Sequence, residues 1–484
     1  MEVRKGKITT FVIQIKNMKL GTYNFSNTKI LIIWGDLEGQ YVERFEYGNN
    51  PLANNIGKIE TIFNQSGMTV FEEYDFKGNT IVKTNLFCEK YQNLIDWNQH
   101  QRIQIDFRSN YEYDALNRPV AIFNHYTGGE TQYTYDKGGK LQTVTHNGHP
   151  HIENITYNAR GQRKNIYYGN NSKTRYNYNP LNFRLERLLT TRHQGQDFLQ
   201  DLNYEYDAVG NIVYIRDDAQ QEFYFDNSII QPENHYQYDA LYRLIEATGR
   251  ECLAFCWIPT EEDFPNDFPV PSDPSAMSNY HRYYTYDALG NILTEENHVG
   301  GNSWNRDFVY IEGTNQLWYN QIGSSAYYTG YDPHGNMVGM PHLNYMHWDY
   351  DDNLSAASNY TFYSYYSYDE QGNRTRKVVE KGHIREERYY LDGYEIFRIY
   401  ESGQLTLERH STNLVDDEKV FARIDEGGQE GLVTRYQYDN HLGSACLELD
   451  ENAEIISYEE YHPFGTTSYR SGRDKTEVSL KRYK

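Results

Sequence analysis

Several residue sets along the chain have the types that chemistry needs, and each stops short of a complete apparatus. Asp439, His441 and Ser444 supply the three side chains of a hydrolytic triad within six positions. No Gly-x-Ser-x-Gly elbow or oxyanion loop accompanies them, so the expected reading is a turn acid and the corner that follows it. Asp349-Tyr350-Asp351-Asp352-Asn353 begins like a calcium loop. Leu354 then stands where that loop needs glycine, and Tyr360 where it needs a closing glutamate. His342 and His347 are five apart and lack the H-E-x-x-H frame. Cys252 and Cys256 are spaced C-x3-C with no second pair opposite, and Cys88 and Cys446 complete the four cysteines. Ordinary thiols are expected. Glycines occur singly after turns rather than before helix starts, so no phosphate or dinucleotide loop is read. The sequence therefore predicts no enzyme, no catalytic residue, no metal and no cofactor.

Composition narrows the class further. The 484 residues carry 46 basic and 68 acidic side chains, a net of −22. That surface repels phosphates, which argues against a general nucleic-acid or anionic-membrane coat. Tyrosine accounts for 48 residues, and the 15% aromatic content excludes disorder. Tyrosine in this quantity suits half-buried strands better than a helical core. No run approaches the ~18 apolar residues of a transmembrane helix. Met1–Lys19 has Phe11-Val12-Ile13 as its longest apolar run, so no cleavable signal is expected.

The elements that hold these residues are set by a repeat. A unit reading Tyr-x-Tyr-Asp-x-x-Gly-(Asn/Arg)-(Leu/Ile) recurs along the chain. Its clearest copies centre on Tyr206, Asp207 and Gly210 and on Tyr286, Asp287 and Gly290. Variants join Tyr113 to Asp114, Tyr135 to Asp136 and Gly139, and Tyr238 to Asp239. Two more join Tyr368 to Asp369 and Gly372, and Tyr438 to Asp439 and Gly443. Looser copies lie around Tyr74, Tyr157, Tyr331 and Tyr350. Central tyrosines from Tyr113 to Tyr238 are 22, 22, 21, 28 and 32 residues apart, so insertions separate the units.

Tyrosines two apart share a strand face. The aspartate closes an Asx-type turn, and the glycine tolerates the positive φ of a tight reversal. Each unit is thus a β-hairpin corner, and a dozen corners predict an all-β chain built as an antiparallel ribbon. Strict register with the turn acid makes the tyrosines structural, with sugar stacking as the competing reading. Five prolines between Pro259 and Pro274 predict an extended surface loop, with an interdomain linker as the competing reading. The expected organisation is an irregular segment over 1–40, ribbon over 41–256, a Pro-rich loop over 257–280 and ribbon over 281–484.

The repeat resembles that of the YD-repeat, or RHS-repeat, family, over roughly Tyr41 to Lys484. Longer stretches are similar to the B component of insecticidal toxin complexes. They include Asn55-Ile56-Gly57-Lys58, Phe76-Lys77-Gly78-Asn79 and the run from Tyr238 to Glu251. His334-Gly335-Asn336-Met337, followed by Met340-Pro341-His342-Leu343, resembles the same component. Asn440-His441-Leu442-Gly443-Ser444 and the run from Ser457 to Gly465 resemble the late shell region. The resemblance implies a ribbon curled into an open shell, a partial cocoon around a cytotoxic C-terminal passenger. It also implies partners: the remaining shell segments, the passenger and a pore-forming A component.

The family's upstream propeller region and its downstream core and toxin have no counterpart here, which reads as a shell segment of a longer ancestor. Asp332-Pro333-His334-Gly335 shares part of the family's self-cleavage motif without its second acidic element. The expected function is non-catalytic containment, and the alternative is a secreted or surface adhesin that binds glycans or cells. Secretion, with a cytoplasmic stage before release, is the implied localisation. Two structural expectations follow. Strands near Tyr41–Tyr47 and Tyr458–Tyr461 become exposed edges, and Gly290, unlike Gly427, requires positive φ.

Overall fold

A computed structural model describes residues 14–15, 18–20, 31–35, 41–225, 227–252, 277–300, 303–427 and 431–472. Cys256 and the prolines from Pro259 to Pro274 lie outside them. Described residues form strands joined by tight turns, with short 3-10 turns at Pro51–Ala53 and His193–Gly195 and no α-helix.

One corner shows why the chain folds this way. The Asp287 N–H donates to the Asn291 carbonyl at 3.0 Å, and the Gly290 N–H donates to the Asp287 carbonyl at 3.2 Å. Asp287 Oδ1 accepts from the N–H groups of Leu289 and Asn291, and Oδ2 from Asn291 Nδ2 at 2.7 Å. Gly290 sits at φ +95°. This is a type I turn closed by a left-handed residue, with the register slip of a bulge between Thr285 and Tyr286. Asp75, Asp114, Asp207, Asp239, Asp332 and Asp369 accept from turn N–H groups in the same way. For Asp75, Asp207 and Asp332 burial is the largest single influence and raises the carboxyl, yet the turn donors together hold it below the usual range. Asp114 and Asp239 are lowered first by hydrogen bonds from Arg118 and Arg243.

Consecutive hairpins pair antiparallel into two sheets, of 24 and 12 strands. The first runs to Ser325–Tyr328, and the second from Tyr345–Trp348 to Thr467–Gly472. A side hairpin, Phe223–Phe225 with Ser228–Ile230, is bypassed, because Ile212–Asp217 pairs directly with Glu233–Tyr238. Neither sheet closes on itself among the described residues. The first sheet includes Gln14–Ile15, Met18–Leu20 and Leu31–Gly35, so the strands extend into the segment expected to be irregular. The strand Met277–Tyr286 likewise begins inside the range assigned to the Pro-rich loop.

The second sheet lies against the first and retraces it in the same chain direction. Their main core joins Val144, Ile152, Ile166 and Tyr168 of the first to Leu414, Phe421, Tyr438 and Leu447 of the second. A second cluster sets Phe87 and Phe107 against Tyr389 and Ile396.

Two expectations are corrected. Tyr41–Tyr47 is not an edge: it pairs with Leu31–Gly35 on one side and Ile59–Phe63 on the other. Ile455–Tyr461 is likewise flanked by Ala445–Leu449 and Thr467–Gly472. Gly427, at φ +94°, needs the left-handed region as much as Gly290 does. A Cβ there would stand 2.8 Å from the Glu408 carbonyl oxygen, whereas Gly290 has nothing within 4 Å. Gly290→Ala should therefore cost only the backbone penalty of ~1–2 kcal/mol, and Gly427→Ala distinctly more. Urea unfolding of both variants checks the order.

Candidate functional site

The repeated side chains meet in a ladder that runs across the strands. In most copies the second tyrosine of the unit donates its hydroxyl to a carbonyl in the preceding hairpin, whereas the Tyr438 hydroxyl lies 2.5 Å from Ser172 Oγ in the other sheet. Tyr206 donates to Leu185 at 2.7 Å, Tyr238 to Ile212 at 2.9 Å and Tyr286 to Leu244 at 2.6 Å. Tyr310 continues the series to Ile292 at 2.9 Å and Tyr331 to Leu317 at 3.0 Å. Ile212 is paired with Tyr206, and Leu244 with Tyr238, so each hydroxyl reaches the residue opposite the previous tyrosine. Tyr135 and Tyr157 make the same bond in the first sheet, and Tyr368 and Tyr461 in the second. The first tyrosine of the unit behaves differently. Tyr284 is buried, and its hydroxyl has no hydrogen-bond partner.

The sequence-read sets resolve as corners. Asn440, not Asp439, is the turn residue, accepting from the N–H groups of Leu442 and Ser444. The motif is shifted by one, and Gly443, at φ +81°, closes it. Asp439 is buried in Val433–Asp439 and pairs with Lys419 Nζ at 2.7 Å. His441 Nδ1 is buried without a hydrogen-bond partner, and burial pushes the imidazole down to about 4. A triad base oriented by a carboxylate at Nδ1 is therefore not assembled. Asp349 accepts from the N–H groups of Asp351 and Asn353 as a corner acid, and His347 Nδ1 lies 2.8 Å from Ser355 Oγ. Cys88 and Cys446 are free thiols.

What sequence reasoning missed is the seam between the sheets, where charged and polar residues pair across some 200 to 300 positions of chain. Arg163 donates to Asp416 Oδ2 at 2.8 Å, with Asp417 and Glu418 beside it. The buried Arg376 reaches the Cys88 carbonyl at 2.7 Å, and Arg250 forks onto Glu460. Two carboxyls at the seam are abnormal. Asp217 is raised to about 6, first by burial, although the Asp201 and Ala219 N–H groups and the Tyr458 hydroxyl oppose this. Glu43 is raised to about 7 by burial and then by Asp351, with Glu370 and Asp349 adding to it. Its partner is the Tyr350 hydroxyl at 3.3 Å. No local pattern in the sequence signals these residues, because each partner sits in the other sheet.

No family model matches the chain. It is 29% identical over 374 residues to the toxin subunit YenC2 of Yersinia entomophaga, a match spanning 71% of this chain and 37% of that protein. The toxin subunit YenC1 of the same organism gives 29% over 373 residues, 72% and 37%. The crystal structure of TcdB2-TccC3 superposes with a TM-score of 0.82 at 24% identity, over 96% of this chain and 24% of that one. A Photorhabdus luminescens Tc holotoxin pore gives 0.83 at the same identity and coverage.

The chain has the fold of an RHS/YD-repeat shell. It spans about a third of the length of the curated relatives it matches. Within that shell fold, no helix of the described residues is long and apolar enough to cross a membrane.

Two measurements test the ladder and the seam. Tyr286→Phe should cost ~1 kcal/mol by stranding the Leu244 carbonyl, whereas Tyr284→Phe should be neutral or slightly stabilising. Equal losses in chemical denaturation would refute the ladder. At the seam, Glu43 and Asp217 ionise near 4.5 and 3.8 when unfolded but only at about 7 and about 6 when folded. Between those values the folded chain binds more protons, so these two carboxyls stabilise it fully in acid and lose that contribution as pH climbs to about 7. Glu43→Gln should match the parent's melting temperature at pH 5 and exceed it at pH 8. A constant difference across that range would count against the assignment.

Proposed function

We propose that this chain is a structural, non-catalytic segment of a toxin-complex shell, whose task is to contain a passenger polypeptide. The observation that carries the reading is the open, tyrosine-locked double ribbon, which superposes along 96% of its length on TcdB2-TccC3. The likeness to two Yersinia entomophaga toxin subunits supports the same setting. Containment is a physical task suited to this wall. Antiparallel hairpins satisfy their backbone locally, and charged side chains keep the outside soluble. Its partners in this reading are the remaining shell segments, a C-terminal cytotoxic passenger and a pore-forming component, acting after secretion. The motif residues Tyr206, Asp207, Gly210 and their equivalents serve the wall and not a reaction.

The experiment is protection. The chain is produced with the flanking shell segments of a relative and a C-terminal reporter domain, and the assembly is treated with protease. The reporter should survive at protease levels that destroy it when free. Equal digestion in both forms would overturn the shell reading.

A further inference from the structure

One cleft of about 810 Å³ is walled by both sheets, a volume within the ~300–1,000 Å³ of small-molecule sites. Cross-strand pairs lay out its floor. Tyr167 stands opposite Lys173, Lys173 opposite Thr191 and Thr191 opposite Phe198. Directly opposed residues share a face, so these four form one row, and Arg175 opposite Leu189 belongs to the next. Leu189 and Thr191 are buried, whereas Phe198 is 49% exposed. The second sheet closes one end with Glu451, Asn452 and Ala453.

Contacts within the chain fix these walls in place. Asn170 Nδ2 donates to the Asp450 carbonyl at 3.1 Å, and Arg192 donates to the Ala453 carbonyl and to Glu454, both at 2.8 Å. The loop after Arg192 holds His193 and Gln194 at φ +50° and +60°, a region such side chains rarely adopt. Asp197 secures that loop, 2.8 Å from His193 Nδ1 and 3.2 Å from Arg192 Nε. Backbone held in this region gathers at ligand clamps.

The side chains left unengaged in the cleft set its ligand chemistry. Among the described residues, no carboxylate pairs with Lys173 or Arg175 and no cation pairs with Glu153 or Glu451, and all four line the cleft. Asp201, at the end of the Arg175 row, is taken by Arg187 in two-point contact. Two free charges of each sign favour neither an anion nor a cation. Hydroxyl groups suit both, since they donate to carboxylates and accept from ammonium and guanidinium groups. The exposed amides of Asn171, Gln194 and Asn452 donate and accept in the same manner. Lys173 Nζ already covers the Tyr167 ring at 4.7 Å, which leaves Phe198 as the open aromatic face. The row from Tyr167 to Phe198 crosses three strand spacings, ~14 Å at ~4.8 Å each, longer than a single sugar ring.

We propose that this cleft binds a short, uncharged oligosaccharide. Phe198 stacks on the C–H side of one ring, and the free charges and amides hold its hydroxyls. The proposal needs only this cleft and is independent of the shell reading.

The test is saturation-transfer NMR and calorimetry of the purified chain with a fixed set of probes. Maltotriose, cellotriose, triacetylchitotriose and mannotriose are the uncharged members, and a heparin tetrasaccharide and a chitosan trimer are the charged ones. At least one uncharged trisaccharide should bind, with little change as salt is raised, and neither charged probe should bind more tightly. Phe198→Ala should weaken that binding about tenfold at an unchanged melting temperature. Asn452→Ala, at an exposed corner, should weaken it several-fold and supplies the readout should Phe198→Ala not fold. Trp318→Ala, which removes a ring 50% exposed on another strand of the first sheet, should leave binding unchanged. Four results would each overturn the proposal: no uncharged probe bound, tighter binding of a charged probe, unchanged affinity in a folded Phe198→Ala or in Asn452→Ala, or an equal loss in Trp318→Ala.

Discussion

A tyrosine hydroxyl bonded to a carbonyl one hairpin back is the contact on which the ribbon depends. A corner alone fixes only its own two strands. The bond from Tyr238 to Ile212, then from Tyr286 to Leu244, ties each corner to the one before it. Because the link joins corner to corner, the opposite ends of the hairpins are free to differ in length. The ladder passes from Tyr238 to Tyr286 across a stretch that includes residues 253–276, with its geometry intact. This explains how the repeat tolerates an irregular period that a strict solenoid would not. It also explains why a chain poor in leucine stacks so many strands: the ring supplies apolar area and the hydroxyl supplies register.

Register between the sheets has a different origin. Apolar contact such as Val144 and Ile152 against Leu447 is non-directional and would accept a slide by one hairpin. Arg163 with Asp416, Arg376 with the Cys88 carbonyl and Arg250 with Glu460 would not, since a slide strands a buried charge. The seam's ion pairs thus select one alignment rather than add much net stability. They are made late in the chain's order, across more than 200 residues, so their loop-closure entropy is offset only once both ribbons exist.

What the sequence made legible, and what it hid, divides along the same line. Corner chemistry is local: Asp207, Gly210 and Tyr206 lie within five residues, and the turn needs those side chains at that spacing. The shift at Asn440 escaped reading because Asp439 offers the expected residue type one position early. Only the glycine count, Gly443 three residues after Asn440, marks the true corner. The edges were misassigned for a related reason. The strands that flank Tyr41–Tyr47 and Ile455–Tyr461 on their outer sides carry no repeat of their own. Gly427 was missed because its constraint is the Glu408 carbonyl on the neighbouring strand, which no spacing rule reports. The seam lay wholly beyond reach, since Glu43 and Tyr350 are 307 residues apart.

Charge ties these levels together. An acidic surface keeps a large sheet protein from pairing edge to edge, and a net of −22 does this without special edge residues. The same excess has a consequence where the layers close. Burial cannot keep every carboxylate ionised, so Glu43, crowded by Asp349, Asp351 and Glu370, holds its proton toward neutrality. Arginine forks relieve the crowding elsewhere along the seam, as Arg163 does with Asp416 and Arg250 with Glu460. The distribution is therefore not uniform acidity with noise. This is an acid-rich chain whose buried seam is held by paired arginines and carboxylates.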